Sequence, residues 1–188
     1  MTPHAISPHY QIDKIASGKL SDLIDVYDDQ IRGWLLQPVA LLRGHQHAGF
    51  AMLSILLTYF EPLGNFLAGQ EGDSSGIRFR EGVRAVFPGH PPPHHDYAEM
   101  WNELYVQVRG GMFHRGLTKS KVLLISNGES VFGFQRGNDG KISLVIVNPW
   151  GLLDAIERHH GEYVERLRDP ANTDARDKFA AWFALRNQ

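Results

Sequence analysis

The chain has no cysteine in its 188 residues, which removes disulfides, Cys-ligated zinc and a thiol nucleophile from consideration. It also has little net charge: −2 formally, with a pI near 6.5. A charge so close to zero gives no overall pull towards nucleic acid or anionic lipid, so any phosphate binding has to come from a local patch. Long apolar runs are short as well. The most hydrophobic stretch, Ala48–Ala68, is strongly apolar only from Ala48 to Phe60 before Glu61 and Pro62 intervene. A bilayer span needs about 20 such residues, so this segment is expected to be a core helix, with no membrane partner. The start, MTPHAISPHYQIDK, has neither the basic beginning nor the apolar core of a secretory signal, and a cytoplasmic location is expected. No phosphate-binding glycine loop, no Gly-x-Ser-x-Gly elbow and no His-Glu-x-x-His occurs.

What is present is 43% hydrophobic sequence, enough to bury a core, read as one domain over residues 1–188. Residues 1–18, with Pro3 and Pro8, read as a loose arm. Ser21 is expected to cap a first helix, Ser21–Leu36, that buries Ile24, Tyr27, Ile31, Trp34 and Leu35, with Pro38 kinking or interrupting it. Ala48–Ala68 is the second helix. Ile77–Phe87 reads as a short helix with Arg78, Arg80 and Arg84 on its polar side, and the prolines at 88–93 as a stiff connector. Asp96 is a candidate N-cap with Glu99 as the reciprocal acid of a capping box. From there Tyr97, Met100, Trp101, Leu104, Tyr105 and Val108 recur at three- and four-residue intervals, which predicts an amphipathic helix over Asp96–His114.

Beyond Gly116 the period changes. Lys121–Ser126, Val131–Arg136 and Lys141–Val147 read as three short strands, with turn chemistry at Asn127-Gly128 and over 137–140. The economical assignment is an antiparallel three-stranded meander over residues 120–148. Asn148-Pro149 is a cap followed by proline at the first helical position, opening a helix to about Leu167. A last helix occupies 172–188. The fold class is therefore mainly α (α+β), a helical bundle of Ser21–Leu36, Ala48–Ala68, Asp96–His114 and Pro149–Leu167 with an inserted meander.

Chemistry concentrates at the end of the third long helix. Arg109, Gly110, Gly111 and His114 stand there, and Arg115, Lys119 and Lys121 follow with no acid among them. Five residues apart on an ideal helix lie about 140° apart, so Arg109 and His114 need the glycines to loosen the backbone if they are to converge. Such a cluster can hold phosphates. Equally, a helix C-terminus attracts cations through its dipole. Glu61, a carboxylate in the most apolar helix, either faces solvent beside Pro62 or pairs with Arg109.

His90, His94, His95 and Asp96 have a spacing that suits no zinc signature, and no metal or cofactor is assigned. His159 and His160 are adjacent and are expected at the surface; His4, His9, His45 and His47 form no constellation.

Arg109–His114, in the context LYVQVRGGMFHRGLTKSKVLLI, resembles the Arg-x4-His signature of the HEPN superfamily, small helical domains of toxin, defence and RNA-processing proteins. The resemblance covers the motif and, more loosely, the two preceding helices. It implies a helical bundle, often a homodimer, and in active members metal-independent cleavage of RNA. On that reading Arg109 and His114 are catalytic, Arg115, Lys119 and Lys121 bind nucleic acid, and Glu61, Tyr105, Gly110 and Gly111 support them. His114 would move a proton while Arg109 holds the scissile phosphate. Many nuclease members carry a polar residue directly after the arginine, where Gly110 stands here. The alternative is a non-catalytic module that binds RNA, a nucleotide or a protein partner such as an antitoxin through the same pocket.

Overall fold

The structure, a computed structural model, describes residues 5–70, 74–89, 95–110, 121–128 and 130–186. It is mainly helical with one small mixed sheet. The helices are α1 (Leu20–Gln30), α2 (Gln37–Leu41), α3 (Gly49–Leu56), α4 (Phe60–Ala68), α5 (Ser75–Val86), α6 (His95–Glu103), α7 (Pro149–Arg168) and α8 (Thr173–Arg186). Two wider π-type stretches interrupt this series: Ile31–Leu36 between α1 and α2, and Leu104–Arg109 at the end of α6.

The first π stretch explains the largest departure from the expected burial pattern. Each i→i+5 bond adds a residue to the turn and swings the following side chains around the axis. Pro38, which has no N–H to donate, follows immediately. Ile24, Tyr27 and Leu35 are buried as expected, but Trp34 is turned outward and 53% exposed. Ser21 does not cap α1, which starts at Leu20. The described part of the N-terminal arm is not loose. Ser7 is fully buried, the His9 ring sits 2.6 Å from Asp29, and Gln30 donates to the Ile6 carbonyl at 2.5 Å.

Gly49–Ala68 is long and apolar enough by composition to cross a membrane, and half of its most apolar window is buried within the protein. A 3-10 turn, Leu57–Tyr59, divides α3 from α4. Met52, Leu53, Leu56, Phe60, Leu63 and Phe66 all enter the core. α4 crosses α5 backbone on backbone. A Cβ at Gly64 would overlap the Arg78 carbonyl oxygen, and one at Gly82 would overlap that of Phe60. This reciprocal contact draws position 78 inward. Arg78 is therefore buried and bonded to Glu81 at 2.7 Å, not on the polar side of its helix.

The helix after the proline connector begins at His95, so Asp96 is not its cap. Glu99 turns to the sheet instead, accepting from the Ile142 N–H at 3.2 Å and from Arg136 at 3.1 Å. The strands β1 (Val122–Leu124), β2 (Phe132–Arg136) and β3 (Ile142–Val147) lie where the sequence places them, but the sheet is mixed. Its order is β1-β3-β2, with β2 antiparallel to β3 and β1 parallel to it, Val122 opposite Val145. β3 takes the centre and is the most deeply buried strand, with Ile142, Val145 and Val147 in the core. Asn127-Gly128 does not close a tight hairpin; the chain passes from one edge of β3 to the other. Asn148 caps α7 as expected, its side chain accepting from the Gly151 N–H at 3.1 Å.

Candidate functional site

Arg109 ends the second π stretch and arrives beside α4. Its Nη2 donates to Glu61 Oε2 at 2.7 Å, and each side chain keeps about a quarter of its surface exposed (27% and 26%). The guanidinium also lies over the Tyr105 ring, 5.2 Å from its centre. Tyr105 in turn packs against Phe79, at 5.4 Å between ring centres. Of the two readings of Glu61, the ion pair is the one the structure contains. Its carboxylate comes from the first turn of α4, where an acid is favoured by the helix dipole.

Gly110 does not loosen the chain. Its backbone is helical, and a Cβ there would meet only the Tyr105 carbonyl, at 3.5 Å. The reorientation of Arg109 comes from π winding. Gly111, His114, Arg115 and Lys119 lie outside the described residues, as do His90 and His94. Lys121 is exposed at the start of β1, its carbonyl accepting from Val145, and it does not line the cleft described next.

Glu61 and Arg109 open onto a cleft of about 650 Å³. Tyr27, Leu35, Leu57 and Phe66 give it apolar walls, and Asn65 and Thr58 add polar groups. Two tryptophans contribute from separate helices: exposed Trp34 from the first π stretch, and half-buried Trp182 from α8. Both π stretches thus end at one cleft, one supplying an indole and the other a guanidinium. π-type insertions recur at functional sites because they aim side chains that a regular helix would misplace. Nothing in the composition marked Trp34, since its apolar spacing reads as core.

A second polar group lies deep between α1, the α3–α4 junction and α7. His160, fully buried rather than at the surface, has Nε2 2.8 Å from Asp28 Oδ1. Tyr59 Oη is 3.0 Å from His159 Nδ1. Burial, with His160 and Arg166 nearby, pushes His159 down to about 4, so it is neutral at pH 7. Burial drives the Tyr59 and Tyr163 hydroxyls up. Burial opposes ionisation of Asp28, but hydrogen bonds from His160 and Arg32 outweigh it and hold the carboxyl low. This network ties three helices together. Among the described residues, no group of three or more His, Asp or Glu is placed to hold a metal ion.

No protein-family model matches the chain, and no curated protein or solved structure is significantly similar to it.

Proposed function

We propose that this is a HEPN-like protein that takes single-stranded RNA at the cleft beside Arg109 and cleaves it without metal. The observation that carries the reading is the Glu61–Arg109 pair at the wall of a cleft with tryptophans. The carboxylate and the Tyr105 ring fix the plane of a guanidinium, the group best suited to grip a phosphate with two hydrogen bonds. Cleavage would proceed by attack of the ribose 2′-oxygen on the adjacent phosphorus. The P–O5′ bond breaks, leaving a 2′,3′-cyclic phosphate and a 5′-hydroxyl. His114 carries the proton from the nucleophile or to the leaving oxygen, and Arg109 stabilises charge on the phosphoryl oxygens. DNA, lacking the 2′-hydroxyl, is not a substrate.

One histidine is thin for both acid and base. A homodimer whose two-fold axis passes the motif would bring two copies of His114 to one groove and pool Arg115, Lys119 and Lys121. A second reading, binding of RNA, a nucleotide or a protein such as an antitoxin without cleavage, is favoured by one observation: Glu61 already occupies Nη2 of Arg109. Gly110, in place of a polar neighbour, points the same way.

Purified wild type, Arg109→Ala and His114→Ala, incubated with single-stranded RNA in EDTA, test the proposal. Cleavage by the wild type, lost in both variants, is the expected result. Equal cleavage by all three identifies a contaminant. Absence of cleavage by any of them, with RNA still bound, leaves the binding reading.

A further inference from the structure

The geometry points to a base-stacking subsite in the same cleft: Trp34 and Trp182 hold an unpaired nucleobase whose phosphate is gripped by Arg109. This rests on the RNA reading above and adds what the protein recognises, namely bases rather than backbone alone.

Three observations carry it. First, Trp34 leaves 53% of its surface in water at a position whose sequence spacing calls for burial. An indole held out of the core by a π turn is a large apolar area left uncovered beside a cleft. Second, Trp182 reaches the same cleft from α8, about 150 residues further along the chain. Neither indole makes a ring contact with a described aromatic residue, whereas Tyr27, Phe66 and Phe179 engage one another in the core below. Third, the cleft is not uniformly greasy. Asn65 offers a carboxamide that can donate and accept at a base edge, and the cation of Arg109 lies on the same lining. A planar apolar face, an edge bearing donors and acceptors and an adjoining anion together describe a nucleotide unit of single-stranded RNA. A fatty chain would make no use of the Asn65 amide or of the positive charge of Arg109 on the same lining. The volume, about 650 Å³, falls in the range of about 300–1,000 Å³ of sites that enclose a small group.

Stacking on an aromatic side chain contributes about 1–3 kcal/mol per base, which is about a 5- to 150-fold change in affinity. The test measures binding of the full chain to a short 2′-O-methyl oligoadenylate, which cannot be cleaved by 2′-attack, and to a ribose-phosphate oligomer of the same length without bases. The proteins are wild type, Trp34→Ala, Trp34→Phe, Trp182→Ala, Trp182→Phe and Arg109→Ala. The expected result is a loss of that size on the oligoadenylate in each Trp→Ala variant, with most of it restored by phenylalanine. The oligomer without bases should bind more weakly and ignore the tryptophan changes, while Arg109→Ala should weaken both. Thermal unfolding of Trp34→Ala should match the wild type, because the indole is exposed. Oligoadenylate binding unchanged in both Trp→Ala variants but weakened in Arg109→Ala overturns the subsite and spares the RNA reading. If the wild type binds neither probe, both fall. Loss of self-association in Trp34→Ala with RNA affinity intact assigns the face to a second copy of the chain and overturns the proposal.

Discussion

Arg109 and Glu61, 48 residues apart in sequence, meet at 2.7 Å with about a quarter of each side chain in water. That exposure decides what the pair contributes. Fully exposed pairs add about 0–1 kcal/mol, and breaking a fully buried one costs about 3–5 kcal/mol. A pair that is three-quarters buried belongs between them. Glu61→Ala is expected to destabilise the fold by about 1–2 kcal/mol in urea unfolding, and Glu61→Gln, which keeps a hydrogen-bond acceptor, by less. A loss below about 0.5 kcal/mol in Glu61→Ala would mean that the pair is ornamental.

The crossing of α4 and α5 admits no side chain at its centre. Gly64→Ala or Gly82→Ala would force the helix backbones apart, because the added methyl meets a carbonyl oxygen rather than a flexible side-chain tip. Overpacking of this kind costs about 1–3 kcal/mol or more, against the gain of several tenths that Gly→Ala brings in an unobstructed helix. Gly161→Ala, in α7 with nothing near its Cβ, is the control and should be neutral or stabilising. Equal melting temperatures for all three variants would refute the close crossing.

Asn148→Ala removes the acceptor for the Gly151 N–H at the start of α7. The expected cost is about 1 kcal/mol, seen as a lower denaturant midpoint at unchanged m-value. Asn148→Asp, which keeps the acceptor and adds charge at the helix N-terminus, should retain the stability.

That cap was legible because it is local: Asn148, Pro149 and the apolar period of α7 lie within a few residues of one another. The three strands were legible for the same reason. What was not legible depended on partners far away in the chain. β1 pairs in parallel with β3 across more than twenty residues, and nothing within Lys121–Ser126 specifies that neighbour. His160 is buried because Asp28, 132 residues earlier, meets it; by type and by its neighbour His159 it reads as surface. Arg78 goes inward because two glycines on two helices let the backbones touch. Trp34 turns outward because a π stretch shifts the period, and a 3.6-residue reading assumes no such stretch. Within the candidate site, the Glu61–Arg109 contact was one of two open readings. Trp182 falls within the expected terminal helix over 172–188, and its place at the cleft depends on where α8 lands.

The last prediction concerns acid. His159 is held down to about 4, chiefly by burial, with His160 and Arg166 adding to it, whereas in the unfolded chain it titrates near its ordinary 6.5. Between those values the unfolded chain binds more protons than the folded one, so stability rises with pH there and falls on acidification. The full effect, about 3 kcal/mol, is complete once pH drops below about 4. Asp28 acts in the same direction at lower pH. Its carboxyl is held low in the fold, so its contribution is present above the ordinary carboxylate value and is lost as pH falls through the folded one. The protein should thus begin to lose stability near pH 6, before carboxylates protonate, and go on losing it below about pH 4 as Asp28 takes up its proton. His159→Gln keeps a hydrogen-bonding group for the Tyr59 hydroxyl, since its carboxamide both donates and accepts, but has no proton to take up. Denaturant midpoints measured from pH 7.5 to 4.5 should fall for the wild type and much less for the variant. Parallel curves for the two proteins would show that the acid sensitivity, if any, arises elsewhere, with the His9–Asp29 contact as the next group to replace.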